Sequence, residues 1–141
     1  MNLKLHLQKN TLLSTINNIK TDFVRYDFVL LEPPNEEDGI RFLGLKDIVA
    51  MKFHAIIQSS KRLKDFIDIY YLLEKFSMKQ MIDFFSEKYT YTNPMIAMKA
   101  INYFDDIDES IDPPKMQKPV SLDKIKERIT QGTLHSNKIF D

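Results

Sequence analysis

The run Ile40-Arg41-Phe42-Leu43-Gly44-Leu45-Lys46-Asp47-Ile48-Val49-Ala50-Met51-Lys52 is where the chain changes its period. Up to Gly44 apolar residues alternate with polar ones, as on a pleated strand. Beyond it they recur every three to four residues, as on a helix. A β-rich front half followed by a helical back half is the pattern of an α+β fold: a small antiparallel β-sheet followed by about five α-helices.

Working back from Gly44, Ile40 to Leu43 reads as a short strand. It is preceded by a surface loop made of Pro33-Pro34 and the acidic stretch Asn35 to Gly39. Leu3, Leu5 and Leu7 alternate with Lys4, His6 and Gln8, which sets the leucines on one side of a strand. Lys9-Asn10 is a turn, and Thr11 to Ile16 is the returning strand. Asn17-Asn18 is a second turn, because Asn tolerates positive φ, and Ile19 to Tyr26 is the third run of the meander.

Working forward, a first helix spans about Lys46 to Gln58 and Ser59-Ser60-Lys61 breaks it. A second runs from about Leu63 to Lys75, with Phe66, Ile67, Tyr70 and Leu73 on its buried side. Ser77 followed by Gln80 is a capping box that opens a third helix, ending near Tyr89. Asn93-Pro94 starts a fourth helix through about Phe104. The acidic run Asp105 to Asp112 and Pro113, Pro114 and Pro119 form a connector over residues 105–120. Ser121 caps a last helix, Gly132 stops it, and residues 133–141 are a tail expected to fray. These parts make one domain over 1–141, with a meander over 1–43 and a helical part over 44–104.

Twenty Lys and Arg balance twenty Asp and Glu, so no global field favours nucleic acid or an anionic membrane. The absence of cysteine removes disulfides, thiolate metal sites and a cysteine nucleophile. His6, His54 and His135 lack metal-ligand spacing. With no signal-peptide pattern and no stretch of membrane-spanning length, the expectation is a cytoplasmic protein without membrane contact. Gly39, Gly44 and Gly132 are the only glycines, so no Gly-rich phosphate loop exists, and no nucleophile elbow occurs.

Four single positions and one basic cluster carry candidate chemistry. Asp22 interrupts a run of β-formers, which suits either a held cation or basic partner or a solvent-facing place on an edge strand. Lys52 lies on the apolar side of the first helix, almost opposite Asp47, His54 and Gln58, so it must pair, snorkel or serve a site. Asp65 and Asp68 stand one turn apart, with Lys64 spaced to pair with Asp68. Asp65 suits the positive end of the helix, whereas Asp68, between Ile67 and Ile69, is the one expected to be partly buried with a cationic partner. Lys61, Arg62 and Lys64 form a basic cluster that suits phosphate contact or a solvated helix end. Phe84, Phe85, Tyr89, Tyr91, Tyr103 and Phe104 have the helical spacing of core residues.

Asn10-Thr11-Leu12-Leu13 through Thr21-Asp22-Phe23-Val24-Arg25-Tyr26 to Leu31-Glu32-Pro33-Pro34 resembles the middle of AbiEii-family nucleotidyltransferase toxins. Leu45 to Lys52 resembles the family's lysine helix, Lys64-Asp65-Phe66-Ile67-Asp68 its Lys-Asp-x-x-Asp helix, and Tyr103-Phe104-Asp105-Asp106 its C-terminal region. The resemblance covers roughly residues 10 to 130. It implies a partial polymerase-β-like fold, with Asp22 as a catalytic and metal-holding carboxylate, Lys52 as the family lysine, and Asp65 and Asp68 as the later acidic motif. It also implies Mg²⁺ and a nucleoside triphosphate as cofactors once the missing half is supplied, a toxin–antitoxin or phage-defence role, and tRNA as a possible acceptor. The family's Gly-Ser turn is absent, and the one Asp-x-Asp, Asp106-Ile107-Asp108, falls in the connector. The expectation is therefore a truncated or split enzyme, inactive alone, that pairs as a homodimer or with a catalytic-half or antitoxin partner. The alternative is a non-catalytic protein- or RNA-interaction module.

Overall fold

The computed structural model describes all residues, 1–141, and has the expected α+β class. Strands β1 (Leu3–Gln8) and β2 (Thr11–Ile16) pair antiparallel, with Leu3 opposite Ile16 and Gln8 opposite Thr11. Asn10 at φ 61° and Asn17 and Asn18 at φ 49° and 66° make the two turns, the left-handed region that asparagine tolerates. The third run is not one strand. It splits into β3 (Ile19–Lys20) and β4 (Phe23–Val24), both on β2, because Thr21 and Asp22 turn aside. There the Ser14 hydroxyl donates to the Thr21 carbonyl and the Ser14 N–H donates to the Asp22 carboxylate.

The acidic surface loop also proves to hold a strand. β5 (Asn35–Glu37) pairs with β6 (Ile40–Phe42) around Asp38-Gly39, both at positive φ, in a two-residue hairpin. Charged side chains are no obstacle on a ribbon exposed on both faces.

Five helices follow: α1 (Leu45–Gln58), α2 (Leu63–Leu72), α3 (Met78–Lys88), α4 (Pro94–Ile101) and α5 (Leu122–Leu134). Helix α1 packs against α2, α3 and α4, and α5 covers α2. Phe53, Phe66, Phe85, Ile101 and Ile129, from five different helices, are all fully buried. The capping box of Ser77 with Gln80 and the Asn93 cap with Pro94 form as expected. Tyr91 and Tyr103 are exposed and do not join the core expected of the aromatic set.

The small sheet is not covered by helices. No residue of β1 to β4 belongs to the core or packs against it, and every residue of β1 is exposed.

Two C-terminal expectations are corrected. Gly132 does not stop the last helix but lies inside α5, buried against Leu73, whose Cδ2 would stand 3.2 Å from an added Cβ. The helix ends at Leu134 with His135 as its C-cap. Gly132→Val, with two branches aimed at Leu73, is expected to cost about 1–3 kcal/mol of stability in urea unfolding. The tail is docked rather than frayed: the Phe140 N–H donates to the Leu73 carbonyl at 2.9 Å, and Lys79 N–H to the Ser136 carbonyl at 2.9 Å.

Tyr89 closes α3 against the segment that leads from the sheet. Its ring stacks on His54 at 4.5 Å and meets Phe28 edge-on at 4.9 Å, and its hydroxyl lies 2.9 Å from that of Tyr26. Burial, then the Tyr26 hydroxyl, push the Tyr89 phenol far above its ordinary value of 10.0. A raised folded value means that the stabilisation is whole below about pH 10 and is lost as pH climbs beyond it, by up to about 1.4 kcal/mol per pH unit. Urea midpoints taken from about pH 8 to 11 should fall in the native protein and fall less steeply in Tyr89→Phe.

Candidate functional site

Lys52 leaves α1 toward the start of α2. Its ammonium lies 3.2 Å from Asp65 Oδ1 and 2.7 Å from Asp68 Oδ2. Of the three fates open to a cation on an apolar helix side, pairing is the one realised. Burial pulls the Lys52 ammonium down, but Asp68 and then Asp65 outweigh it and hold it above its usual range. It is a permanent cation at neutral pH.

The two acids are buried in the opposite order to the expectation. Asp65 is the enclosed one, with 4% of its side chain exposed, whereas Asp68 shows 44%. Asp68 does have the cationic partner foreseen for it. The Arg62 guanidinium lies 2.9 Å from Asp65 Oδ2, although not in line to donate a hydrogen bond to it. Lys64 does not pair with Asp68; it reaches Asp112 of the connector at 2.8 Å, and this contact holds the Asp112 carboxyl below its usual range. A bond across 48 positions outcompetes the local spacing because the connector folds back over the start of α2.

Lys52, Arg62, Lys64, Asp65 and Asp68 thereby line one open pocket of about 680 Å³, completed by the connector residues Asp112 to Met116. Lys115 adds a fourth cation, and it was not foreseen because nothing local marks a single lysine after two prolines. Lys61 does not line the pocket; its carbonyl accepts from the Asp108 N–H at 3.0 Å. Of the basic cluster, then, two members face the pocket and one faces the acidic connector.

Asp22 stands apart. It lines a separate shallow pocket on the sheet with Lys4, His6 and Lys20, and Lys20 lies 3.4 Å from its Oδ2. Lys20 in turn helps to lower the Asp112 carboxyl, so the two pockets are electrostatic neighbours. The residues present do not suit a divalent cation. Nowhere do three or more histidines or carboxylates converge; the Asp22 carboxylate is engaged by Ser14 and Lys20, and the Asp65–Asp68 pair by Lys52 and Arg62. Asp106 and Asp108 turn to Ser60 and Ser110.

The Asp47–Lys88 pair gave no separate signal in the sequence. Both side chains are fully buried, and Asp47 also accepts the Leu31 and Glu32 N–H groups while Lys88 donates to the Val29 carbonyl at 2.7 Å. Glu32 returns the favour by accepting the Lys46 N–H at 3.1 Å, with its side chain pressed against Gly44, where a Cβ would collide. This clamp fixes the start of α1, and so the turn of the helix that presents Lys52.

A family model described as "Nucleotidyl transferase AbiEii toxin, Type IV TA system" matches residues 13–131. The chain belongs to the AbiEii family. An uncharacterized protein of Aquifex aeolicus (strain VF5) is 35% identical over 111 residues, which is 76% of this chain and 53% of that relative. The chain thus spans about half the length of this curated relative. No solved structure matches it. The two segments that resemble the family's lysine helix and Lys-Asp-x-x-Asp helix both lie within the matched residues, and their side chains meet in the larger of the two pockets. No helix is long and apolar enough to cross a membrane.

Proposed function

We propose that this chain forms the phosphate-binding wall of an AbiEii-type nucleotidyltransferase, and that it transfers nucleotide only together with a segment bearing the family's Gly-Ser and Asp-x-Asp motifs. The observation that carries the reading is the convergence of Lys52, Asp65 and Asp68 on a pocket that also holds Arg62, Lys64 and Lys115. In nucleotidyl transfer an acceptor hydroxyl oxygen bonds to the α-phosphorus, the bond to the β-phosphate oxygen breaks, pyrophosphate leaves, and the hydroxyl proton is lost. Negative charge gathers on the phosphates, and cations fixed beforehand stabilise it.

In this reading Asp65 and Asp68 hold the Lys52 ammonium toward the pocket, while Arg62 and Lys64 take the outer phosphates or the acceptor backbone. Asp22 is the chain's own contribution to a carboxylate set completed by the other segment. Mg²⁺ would supply charge neutralisation at that completed set, and no site for it is formed by this chain alone. The setting is a cytoplasmic toxin–antitoxin or phage-defence system, with an antitoxin as partner and tRNA as acceptor.

The test is incubation of the purified chain with Mg²⁺, labelled nucleoside triphosphates and tRNA, with and without a family segment carrying the two missing motifs. Label is expected on tRNA only in the combined mixture. Transfer by the unaided chain would overturn the incomplete-enzyme reading; silence in both mixtures would overturn the transferase reading in favour of a partner-binding module.

A further inference from the structure

The small sheet is amphipathic, and its apolar face points to solvent. Register sets Leu3, Ile16 and Ile19 in one cross-strand row and Leu7, Leu12 and Phe23 in another, with Leu5 opposite Ser14 between them. Leu5 is 59% exposed, Leu7 79%, Ile19 68% and Phe23 55%. The opposite face is mixed, with Lys4, His6, Thr15 and Lys20 around Leu13 and Val24, and so meets water more readily. A sheet with one face free of charged side chains and the other charged is built to be covered on the uncharged side, and no helix of this chain covers it.

We infer that two copies of the chain pack these apolar faces together about a two-fold axis. The composition of the face suits a copy of itself. It has no ionisable side chain, so no complementary charge is needed and a like surface meets it without repulsion. The only polar side chain, Ser14, is satisfied internally by the Thr21 carbonyl and can be enclosed.

The area is sufficient. A fully buried Leu, Ile or Phe side chain withdraws roughly 60–120 Å² from water, so the exposed side chains with the backbone between them offer on the order of 500 Å² per copy. The pair would bury about 1,000 Å², the lower bound of a specific interface, and two pleated faces pack about 10 Å apart. Left bare, the same patch would sit near the upper limit of what monomers tolerate. The face shares no residue with the Lys52 pocket; Leu5 and Ser14 border the Asp22 pocket, and the dimer is read by association state rather than by nucleotide transfer.

Sedimentation equilibrium of the full chain is expected to give twice the 16.7 kDa chain mass at about 100 µM. The double variant Leu5→Lys, Leu7→Lys is expected to weaken the dimer at least about 100-fold, because two charges would be buried against two more. Both positions are solvent-exposed in the single chain, so the helical far-ultraviolet signal should persist. Lys4→Glu, on the opposite face, is expected to stay dimeric. A native chain that remains monomeric at that concentration, as it would if the face were reserved for another protein, overturns the inference. So does a double variant that stays dimeric, or a Lys4→Glu variant that dissociates as readily.

Discussion

Lys88→Met is expected to lower the unfolding free energy by about 3–5 kcal/mol, read from urea denaturation followed by far-ultraviolet circular dichroism. The size follows from what remains rather than from what is removed. Asp47 has no exposed surface, and without the ammonium its charge is held only by the Leu31 and Glu32 N–H groups. The double variant Asp47→Asn, Lys88→Met should recover most of the loss, because the amide keeps an acceptor for Leu31 without the charge. The pH dependence separates this account from simple loss of packing. Burial pushes the Asp47 carboxyl up, but Lys88, Leu31 and Glu32 outweigh it and hold it below its ordinary 3.8. A depressed folded value gives stabilisation that is present above about pH 4 and lost as pH falls through the folded value. In Lys88→Met the carboxyl loses its counter-charge and burial raises it, so the deficit relative to the native protein should shrink as the medium is acidified. A deficit that stays constant down to pH 3 would assign the lysine a packing role only.

That pair also marks where reading the sequence stops. Periodicity placed Asp47 with His54 and Gln58 on the polar side of α1, which is where a helix wheel puts them. What buries Asp47 is the Leu31–Glu32 segment, 16 and 15 residues earlier, and Lys88, 41 residues later. Neither leaves a trace in a local window. Capping and turn chemistry were legible because they close within three or four residues: Asn17-Asn18, the Ser77–Gln80 box and Asn93-Pro94 stand where side-chain chemistry put them. The β5 strand was hidden because acidic residues imitate a loop, and Gly132 because a glycine that admits Leu73 into a helix looks the same as one that ends it. In the candidate site, the cationic partner expected of Asp68 is present, but it is Lys52 from α1, while Lys64, which the local spacing offered to Asp68, takes Asp112 instead. Asp22 is set apart from the other three by a kink between β3 and β4, which alternation along one strand cannot express.

In the proposed combined enzyme, Lys52→Met is expected to reduce kcat/KM for nucleotide transfer about 10²- to 10³-fold, the usual consequence of removing one fixed charge from developing phosphate charge. The same change should cost the isolated chain only about 1–3 kcal/mol. Asp65 keeps the Arg62 guanidinium at 2.9 Å, and Asp68, nearly half exposed, exchanges the ammonium for water. This contrast with Lys88 is the point of the experiment, since both lysines pair with a buried aspartate but only one of them faces a pocket. A lysine that served the fold alone would lose stability and activity together, whereas one that serves the pocket loses activity far beyond its effect on melting. Lys52→Arg sharpens the distinction. It keeps the charge and the pairs with Asp65 and Asp68 but carries a wider, planar head, so stability should return nearly to native while transfer recovers only in part. If Lys52→Met transfers nucleotide within about threefold of the native rate, the ammonium is a strut between two helices, and the phosphate-binding role passes to Arg62, Lys64 and Lys115.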